Sequence, residues 1–327
     1  MAAPAFAESL SVAISQSSDD AEEFLGGSGA LDGQGLTGFV LLNSSDLELG
    51  DEGSGGFTDP QAIGLRFTNI SIPTNAFITS AWIQFHSDDG TETAQVGNNE
   101  FRIFGELSLN PGTFLGSSST GGEGPYNQPA NDRNITNRPR TTQSVVWDDI
   151  PFDRPEGVAQ VGQQTPDLSG IIQEIIGQAG WASGNAVAFQ IYHSASLDAS
   201  LNPILGVNTS PFAIDEHEME SYDGIPSRAA VLHIEYSTSS ITGDLNGDGF
   251  VGAADLDILL ANWGDNVTVG SLINGDAVAD GVVDDADLQV VRDNWGSGNP
   301  PGSPIPEPGS FALLLAAGGM IARRRRK

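Results

Sequence analysis

Between Gly243 and Gly296 the chain carries two Asp-rich stretches in one register. They read GDLNGDGFVGAADLDILLANWG and GDAVADGVVDDADLQVVRDNWG, so that Asp244 stands over Asp276 and Trp263 over Trp295, 32 residues apart in both cases. An offset held over that length is a duplication. In the first copy the oxygen-bearing residues fall at positions 1, 3, 5 and 12 of a loop, as Asp244, Asn246, Asp248 and Asp255, with Gly249 at position 6 and the Phe250 carbonyl at position 7. A hard cation such as Ca²⁺ takes about 6 to 8 oxygens. A loop meets that demand with side-chain oxygens at alternate positions, a main-chain carbonyl at the seventh and a glycine where the chain turns sharply. Asp255 is one methylene shorter than the Glu usual at position 12, which limits its reach for bidentate closure. The second copy keeps Asp276, Asp280, Asp284 and Asp287 and the Val282 carbonyl, but Val278 at position 3 has no side-chain oxygen. Two Ca²⁺ sites are expected, the second weaker or completed there by water.

The elements that must position these loops come next. Each loop is followed by apolar residues at helical spacing, Leu256, Leu259, Leu260 and Trp263, then Leu288, Val291 and Trp295, which predicts two helices able to pack on each other. No helix is predicted to enter either loop: Ser237 to Thr242 is a short polar linker after a strand-like run, and Asn266 to Asn274 is Gly and β-branched. The unit 243–298 is therefore a loop and an exiting helix, twice. In this it resembles the type I dockerin family, over about 54 residues. The resemblance implies calcium-dependent folding and docking onto a cohesin-type receptor domain, often in assemblies that degrade polysaccharide.

The whole chain has 327 residues, a net charge of −30 and no cysteine. So negative a field makes nucleic acid and anionic lipid poor partners. The lack of thiols excludes a disulfide framework, thiol catalysis and cysteine metal sites. Both ends read as processing signals. Ala5-Phe6-Ala7 precedes Glu8 as an A-x-A cleavage site, so 1–7 reads as the remnant of a signal peptide cut between Ala7 and Glu8. At the other end a linker, 299–305, leads to Pro306-Glu307-Pro308, an unbroken apolar run from Phe311 to Ala322 and the basic cluster Arg323 to Lys327. Twelve helical residues reach only about 18 Å, short of a bilayer core of roughly 30 Å. This tripartite segment, 306–327, resembles the PEP-CTERM sorting signal. The resemblance implies processing by a membrane protease of the exosortase type and final residence at the cell surface or in an exopolysaccharide matrix, after a transient stay in the membrane.

Residues 8–237 alternate in polarity between Gly/Asn/Ser/Asp turns. Strands are predicted at Leu10 to Ile14, Gly38 to Leu42, Ala62 to Phe67, Phe77 to Phe85, Phe101 to Leu107, Gln143 to Trp147, Ala186 to His193 and Ala229 to Tyr236. On Phe77 to Phe85 the residues Phe77, Thr79, Ala81, Ile83 and Phe85 are assigned to one face. One helix interrupts them, with Thr165 as its cap, Pro166 in its first position and Leu168, Ile171, Ile172, Ile175 and Ile176 as its apolar stripe, ending near Gly180. Ser117 to Arg140 reads as a long loop. The fold class is mainly β: a jelly-roll-like β-sandwich with one helix, then, past the linker 238–242, a small α dockerin-like calcium-binding domain and a short C-terminal apolar helix. Gly64 to Phe85, GLRFTNISIPTNAFITSAWIQF, is similar to the strand-turn-strand of DNRLRE-type secreted β-sandwich modules, without the DNRLRE string itself. That similarity implies an accessory or carbohydrate-binding role.

None of G-x-S-x-G, H-E-x-x-H or G-x-x-x-x-G-K occurs. Trp82 shares a predicted strand face with Ser80, Gln84 and His86. Either a sugar ring stacks there while the polar neighbours bind hydroxyls, or a packing loop covers the indole. Asp19, Asp20, Glu22 and Glu23, and separately Asp215, Glu216 and Glu218, form acid clusters that either hold a structural Ca²⁺ or are solvated. The functional reading is a secreted, non-catalytic binding protein with two calcium loops. Its partners are a cohesin-like domain, polysaccharide and the exosortase-type protease. A polysaccharide hydrolase or lyase on the sandwich, whose chemistry needs no more than two carboxylates flanking a glycosidic bond, and a purely structural matrix protein are the alternatives.

Overall fold

The computed structural model describes residues 6–26, 37–50, 60–74, 76–88, 100–116, 135–148, 150, 156–206, 217–238 and 241–298. The sorting segment and linker at 299–327, most of the long loop expected at Ser117 to Arg140, and Asp215 and Glu216 lie outside the described residues. Among the described residues eleven strands and three α-helices follow one another: β1 (Phe6–Ala13), β2 (Asp20–Phe24), β3 (Val40–Leu41), β4 (Asp46–Leu49), β5 (Gln61–Phe67), β6 (Ala76–Gln84), β7 (Glu100–Glu106), β8 (Arg140–Asp148), α1 (Ser169–Ile176), β9 (Val187–His193), β10 (His217–Glu220), β11 (Val231–Thr238), α2 (Ala253–Ala261) and α3 (Asp285–Asp293). All strand pairs are antiparallel. One layer is six-stranded in the order β3-β2-β5-β9-β7-β8; the other is built from β1-β11-β6 and the pair β10-β4. The Glu220 amide donates to the His86 carbonyl at 2.9 Å and the Asp88 amide to the Glu218 carbonyl at 3.0 Å, which joins β10 to the end of β6.

The core lies between these layers. Ile63, Leu65, Phe67, Phe101, Ile103, Phe189 and Ile191 of the large sheet meet Ala81, Ile83, Phe85, Leu232, Ile234, Leu47, Leu49 and Met219. Trp147 and Trp181 belong to it. Burying a large aliphatic or aromatic side chain is worth roughly 1.5–3 kcal/mol, so this alternation is what holds the layers together. The opposite face of the large sheet carries a smaller cluster, including Ala21, Ala62, Phe114, Ile135 and Tyr192.

Two expectations need correction. The helix does not start at Pro166. Thr165 pairs with β6 instead, its amide donating to the Ile83 carbonyl at 3.0 Å and its hydroxyl accepting from the Ile83 amide at 3.0 Å. Asp167 accepts from the Ser169 amide at 3.0 Å, and the helix begins at Ser169. It ends at Ile176, with Gly177 as cap, while its stripe of Ile171, Ile172, Ile175 and Ile176 is buried as expected. On β6 the facing slips: Ala76 and Ile78 are buried, whereas Phe77 is half-buried and Thr79 exposed. A register shift in the pairing partner, between Glu235 and Tyr236, inserts one extra β6 residue. Such an insertion reverses the side-chain faces beyond it.

The largest correction concerns the acids. Asp20–Phe24, Asp46–Leu49 and His217–Glu220 are strands that were not predicted, and the first acid cluster is not solvated. Asp19, Asp20, Glu22 and Glu23 are 1, 3, 1 and 0% exposed. Asp19 pairs with Arg66, and Glu23 accepts from the Thr136 amide at 2.8 Å and from its hydroxyl. Burial, the dominant influence, nevertheless pushes the Glu23 carboxyl up to about 7. A carboxyl whose folded pKa lies above its unfolded value binds more protons when folded, so stability falls as pH rises from about 4.5 to about 7 and then levels off. We expect Glu23→Gln to flatten that part of the pH profile, giving at pH 7.5 a chain at least as stable as the parent; urea melts across pH 4–8 read this out, and an unchanged slope refutes it.

Candidate metal centre

The two Asp-rich copies form one compact unit around a core of Leu245, Val251, Leu259, Val283 and Val291. Its construction is reciprocal. Val251, at position 8 of the first loop, donates its amide to the Ser297 carbonyl and accepts from the Gly296 amide, both at 2.9 Å. Val283, at position 8 of the second, donates to the Asp265 carbonyl at 3.1 Å and accepts from the Gly264 amide at 2.9 Å. Each loop is thus stapled to the chain leaving the other copy's helix. The glycine opening each copy is part of the same exchange. Gly243 lies against α3, where a Cβ would come within 3.3 Å of the Val291 Cα, and Gly275 lies against α2, at 3.3 Å from the Leu259 Cα.

Within the loops the first and twelfth carboxylates, Asp244, Asp255, Asp276 and Asp287, are all 0% exposed. Main-chain amides hold them. Asp244 accepts from Gly247 and Gly249, both at 2.9 Å. Asp276 accepts from Asp280 at 3.0 Å, Gly281 at 2.9 Å and Gly270 at 2.7 Å. Asp255 accepts from Leu245 at 2.7 Å and, with its other oxygen, from Gly252 at 2.7 Å, so it closes the loop and caps α2 at once. Asp287 does the same through Val278 at 3.0 Å and Asp284 at 2.9 Å, and Asp284 accepts from Ala286 at 2.8 Å as the side-chain cap of α3. Hydrogen bonds to ionised carboxylates contribute about 1.5–3 kcal/mol each, enough to offset burial of the charge.

Asn246 and Asp248 stand at the mouth of the first loop. The Asn246 amide nitrogen donates to Asp248 at 2.9 Å, while each side chain also accepts from a main-chain amide two residues on. In the second loop Asp280 accepts from Val282 at 3.0 Å. The donor set fits a hard cation in kind and in order around the turn: carboxylates, one amide oxygen and the carbonyls of Phe250 and Val282. The acid oxygens are not gathered tightly. Among the described residues the one group of three acids with oxygens within 4.8 Å of one another is Asp46, Asp88 and Glu218, in the β-layers. Ion loading therefore requires Asn246 and Asp248 to exchange their mutual hydrogen bond for the cation.

The helices are shorter than their apolar pattern. Leu259 and Val291 are buried, but Leu260, Trp263 and Trp295 are 56, 43 and 51% exposed. The two helices do meet, at Leu259 and Val291 of the shared core, while these three residues of the apolar pattern face outward. Trp82 and Gln84 do share one face of β6, and His86, two residues past its end, is half-buried like them. Trp82 is half-buried, its ring stacked on the cross-strand His233 at 5.1 Å, with the Ser11 hydroxyl 2.8 Å from His233 Nδ1. Gln84 is committed to structure, donating to the Phe85 carbonyl at 2.8 Å and accepting from Gln164 at 2.7 Å. The Ala7/Glu8 junction falls inside β1, opposite Ser237 and Tyr236. Pro306, Glu307 and Pro308 lie outside the described residues. Among those described, no helix is long and apolar enough to cross a membrane. Sequence reasoning missed Asp46 and Asp88; the run Leu47-Glu48-Leu49 was the available signal for the strand that carries the first.

No protein-family model matches the chain, and no curated protein sequence matches it.

One difference between the loops is directly testable. Position 4 has left-handed backbone in both, φ 73° at Gly247 and φ 61° at Ala279. That conformation costs an ordinary residue about 1–2 kcal/mol. Ala279→Gly is expected to raise the stability of the 243–298 unit by up to about 1 kcal/mol, because glycine's extra unfolded-state freedom returns part of the gain. Thermal melts of the full chain monitored at the helical band decide this, and a lowered midpoint contradicts the strain.

Proposed function

We propose that this chain is a secreted, non-catalytic binding protein of the cell surface or matrix. A jelly-roll-like sandwich binds polysaccharide, and a dockerin-like unit carries two Ca²⁺ and docks onto a cohesin-type partner domain. The observation that carries the reading is the reciprocal stapling of two loops whose end carboxylates are fully buried. Asp244, Asn246, Asp248 and Asp255 with the Phe250 carbonyl would hold the first ion. Asp276, Asp280, Asp284 and Asp287 with the Val282 carbonyl would hold the second, more weakly for want of an oxygen at Val278. Bound Ca²⁺ supplies positive charge that neutralises the loop carboxylates and locks the turn. The protein's own part is to aim the oxygens and, through Asp255 and Asp287, to tie each loop to its helix.

Leu260, Trp263 and Trp295 offer apolar side chains for docking, and their exposure supports a partner at this end of the molecule. On the sandwich, the Trp82–His233 stack supports an aromatic contact with a sugar ring, with Ser11 beside it. The tail after 298 supports sorting to the outer surface through Pro306-Glu307-Pro308 and its apolar run.

Two measurements test this. Ca²⁺ added to the chelator-treated full chain should raise the melting transition of the helical unit; at 100 times the dissociation constant one site contributes about 2.7 kcal/mol. Asp248→Ala should remove most of the first loop's share, and a transition indifferent to Ca²⁺ in the parent overturns the metal assignment. Separately, retention on a panel of insoluble polysaccharides should be lost in Trp82→Ala, since base-type or sugar-type stacking on an aromatic ring is worth on the order of 1 kcal/mol or more. Equal retention of parent and variant, or none by the parent, removes that surface from consideration.

A further inference from the structure

Among the described residues β4 has one strand partner, β10, where Glu48 stands opposite Glu218 and Asp46 opposite Glu220. Its other edge faces the six-stranded layer, which it does not join as a strand. The junction there is made differently. The Glu48 amide donates to Glu22 Oε1 of β2 at 2.8 Å. The Gln61 amide of β5 donates to the Gly50 carbonyl at 3.0 Å, and the Gln61 side chain donates to Glu48 Oε2 at 3.2 Å. Glu22 and Glu48 are 1 and 8% exposed, so both carboxyl groups lie inside this seam.

Glu22 Oε2 is buried and receives no N–H from the chain. The Glu22 and Glu48 side chains are instead hydrogen-bonded to each other. Two carboxylates offer acceptors only, so that bond exists while one of them carries a proton and its O–H donates to the other. Two like charges in contact in a low-dielectric seam resist ionising together. The surroundings sharpen this demand. Asp46, on β4 itself, is the charge outside the pair that acts most on both carboxyls. Glu218 of β10 and Asp88 past the end of β6 come within 4.8 Å of Asp46, β2 adds Asp20, and β3 sets Leu41 opposite Glu22. Arg66 and Arg228 are taken by Asp19 and Glu220. His193 of β9 and His217 of β10 turn to the Phe101 ring, 5.2 and 5.8 Å away. So deep a pair is closed to any substrate, and its proton serves the fold.

We propose that Glu22 and Glu48 share a single proton, and that this proton is a latch which holds the β4–β10 pair against the large sheet and releases it as pH rises. The latch is independent of the calcium loops and of any ligand. Burial is the largest influence on both carboxyls and raises both above the ordinary glutamate value of about 4.5. The closed form therefore binds one proton more than the open form. With that sign, closure weakens as pH rises above about 4.5 and goes on weakening until the proton leaves. Its loss sets two carboxylates side by side without a cation, next to Asp46. The strand that bears the repulsion is β4, whose Leu47 and Leu49 help close the core together with Met219 of β10. Opening this corner bares those three side chains.

Hydrogen–deuterium exchange of the full chain from pH 5 to 9, read by mass spectrometry and corrected for the intrinsic pH dependence of amide exchange, tests this. Protection of 46–49 and 217–220 should fall by about tenfold per pH unit over the span in which only the closed form keeps the proton. Strands β7 and β9 should keep theirs. Glu22→Gln/Glu48→Gln preserves the shape and puts an N–H where the shared proton was, so its β4 and β10 should stay protected without that slope. Glu23→Gln should leave the local slope in place, because Glu23 makes its bonds to Thr136 and not to β4. Constant protection in the parent, an unchanged slope in the double variant, or loss of the slope in Glu23→Gln overturns the proposal. Should the double variant not fold, Glu48→Gln alone supplies the permanent donor. Its slope should be mostly lost, and a slope equal to the parent's overturns the latch as firmly.

Discussion

Buried carboxylate is the constraint around which this molecule is arranged. An ionised acid taken out of water loses hydration worth many kcal/mol and must recover it from amides, from a cation or from a proton. The chain uses the first two openly. In the small unit Asp244, Asp255, Asp276 and Asp287 take main-chain amides, so the turns that expose those amides are prerequisites of the burial. In the layers Asp19, Glu106 and Glu220 take arginines. Glu23, pushed up by burial against the opposing hydrogen bonds of Thr136 and the Ile135 backbone and the charge of Arg138, shifts toward the third answer and holds its proton nearly to neutrality.

That constraint also explains what could be read from residue order and what could not. Calcium loops have their ligands at fixed separations within one short segment, so Asp244, Asn246, Asp248 and Asp255 are visible as a pattern without any knowledge of the fold. Strands β5, β7, β9 and β11 were visible because one face of each is apolar. By contrast, Asp20–Phe24 reads as a solvated acid cluster because its polar side chains are the buried ones. Their burial rests on Arg66, Tyr222, Glu48 and Thr136, which are remote in sequence. Polarity alternation presumes that polar residues face water, and it fails wherever the fold supplies partners from elsewhere. The staples at Val251 and Val283 were equally out of reach, since each joins a loop to the far end of the other copy.

Duplication gives the small unit its stability in a way a single copy could not. A lone loop and helix would expose Val251 and Leu259 on one side; the second copy covers them with Val283 and Val291, and the exchange of main-chain bonds closes both loops together. Small domains bury too little surface to spare any of it. The two copies are therefore a single cooperative object, and a change in one loop is felt in the other through the five buried residues of the shared core.

The copies are nevertheless not equivalent toward the β-layers, and the reason is one missing methyl group. At Gly247 a Cβ would stand 2.8 Å from the Phe77 Cβ, and the Gly247 carbonyl accepts from the Ser237 hydroxyl at 3.2 Å. Its counterpart is Ala279, whose side chain would forbid so close an approach. Phe77 and Ser237 are themselves a cross-strand pair, and the register shift at Glu235/Tyr236 is what turns Phe77 out of the core to meet the loop. A single extra residue in β6 thus creates the landing place, and a single glycine selects which copy lands. The loop that faces the sheet is the first, which has the fuller set of side-chain oxygens. An ion that orders the first loop would on this geometry also order the seat of the whole unit on the β-layers.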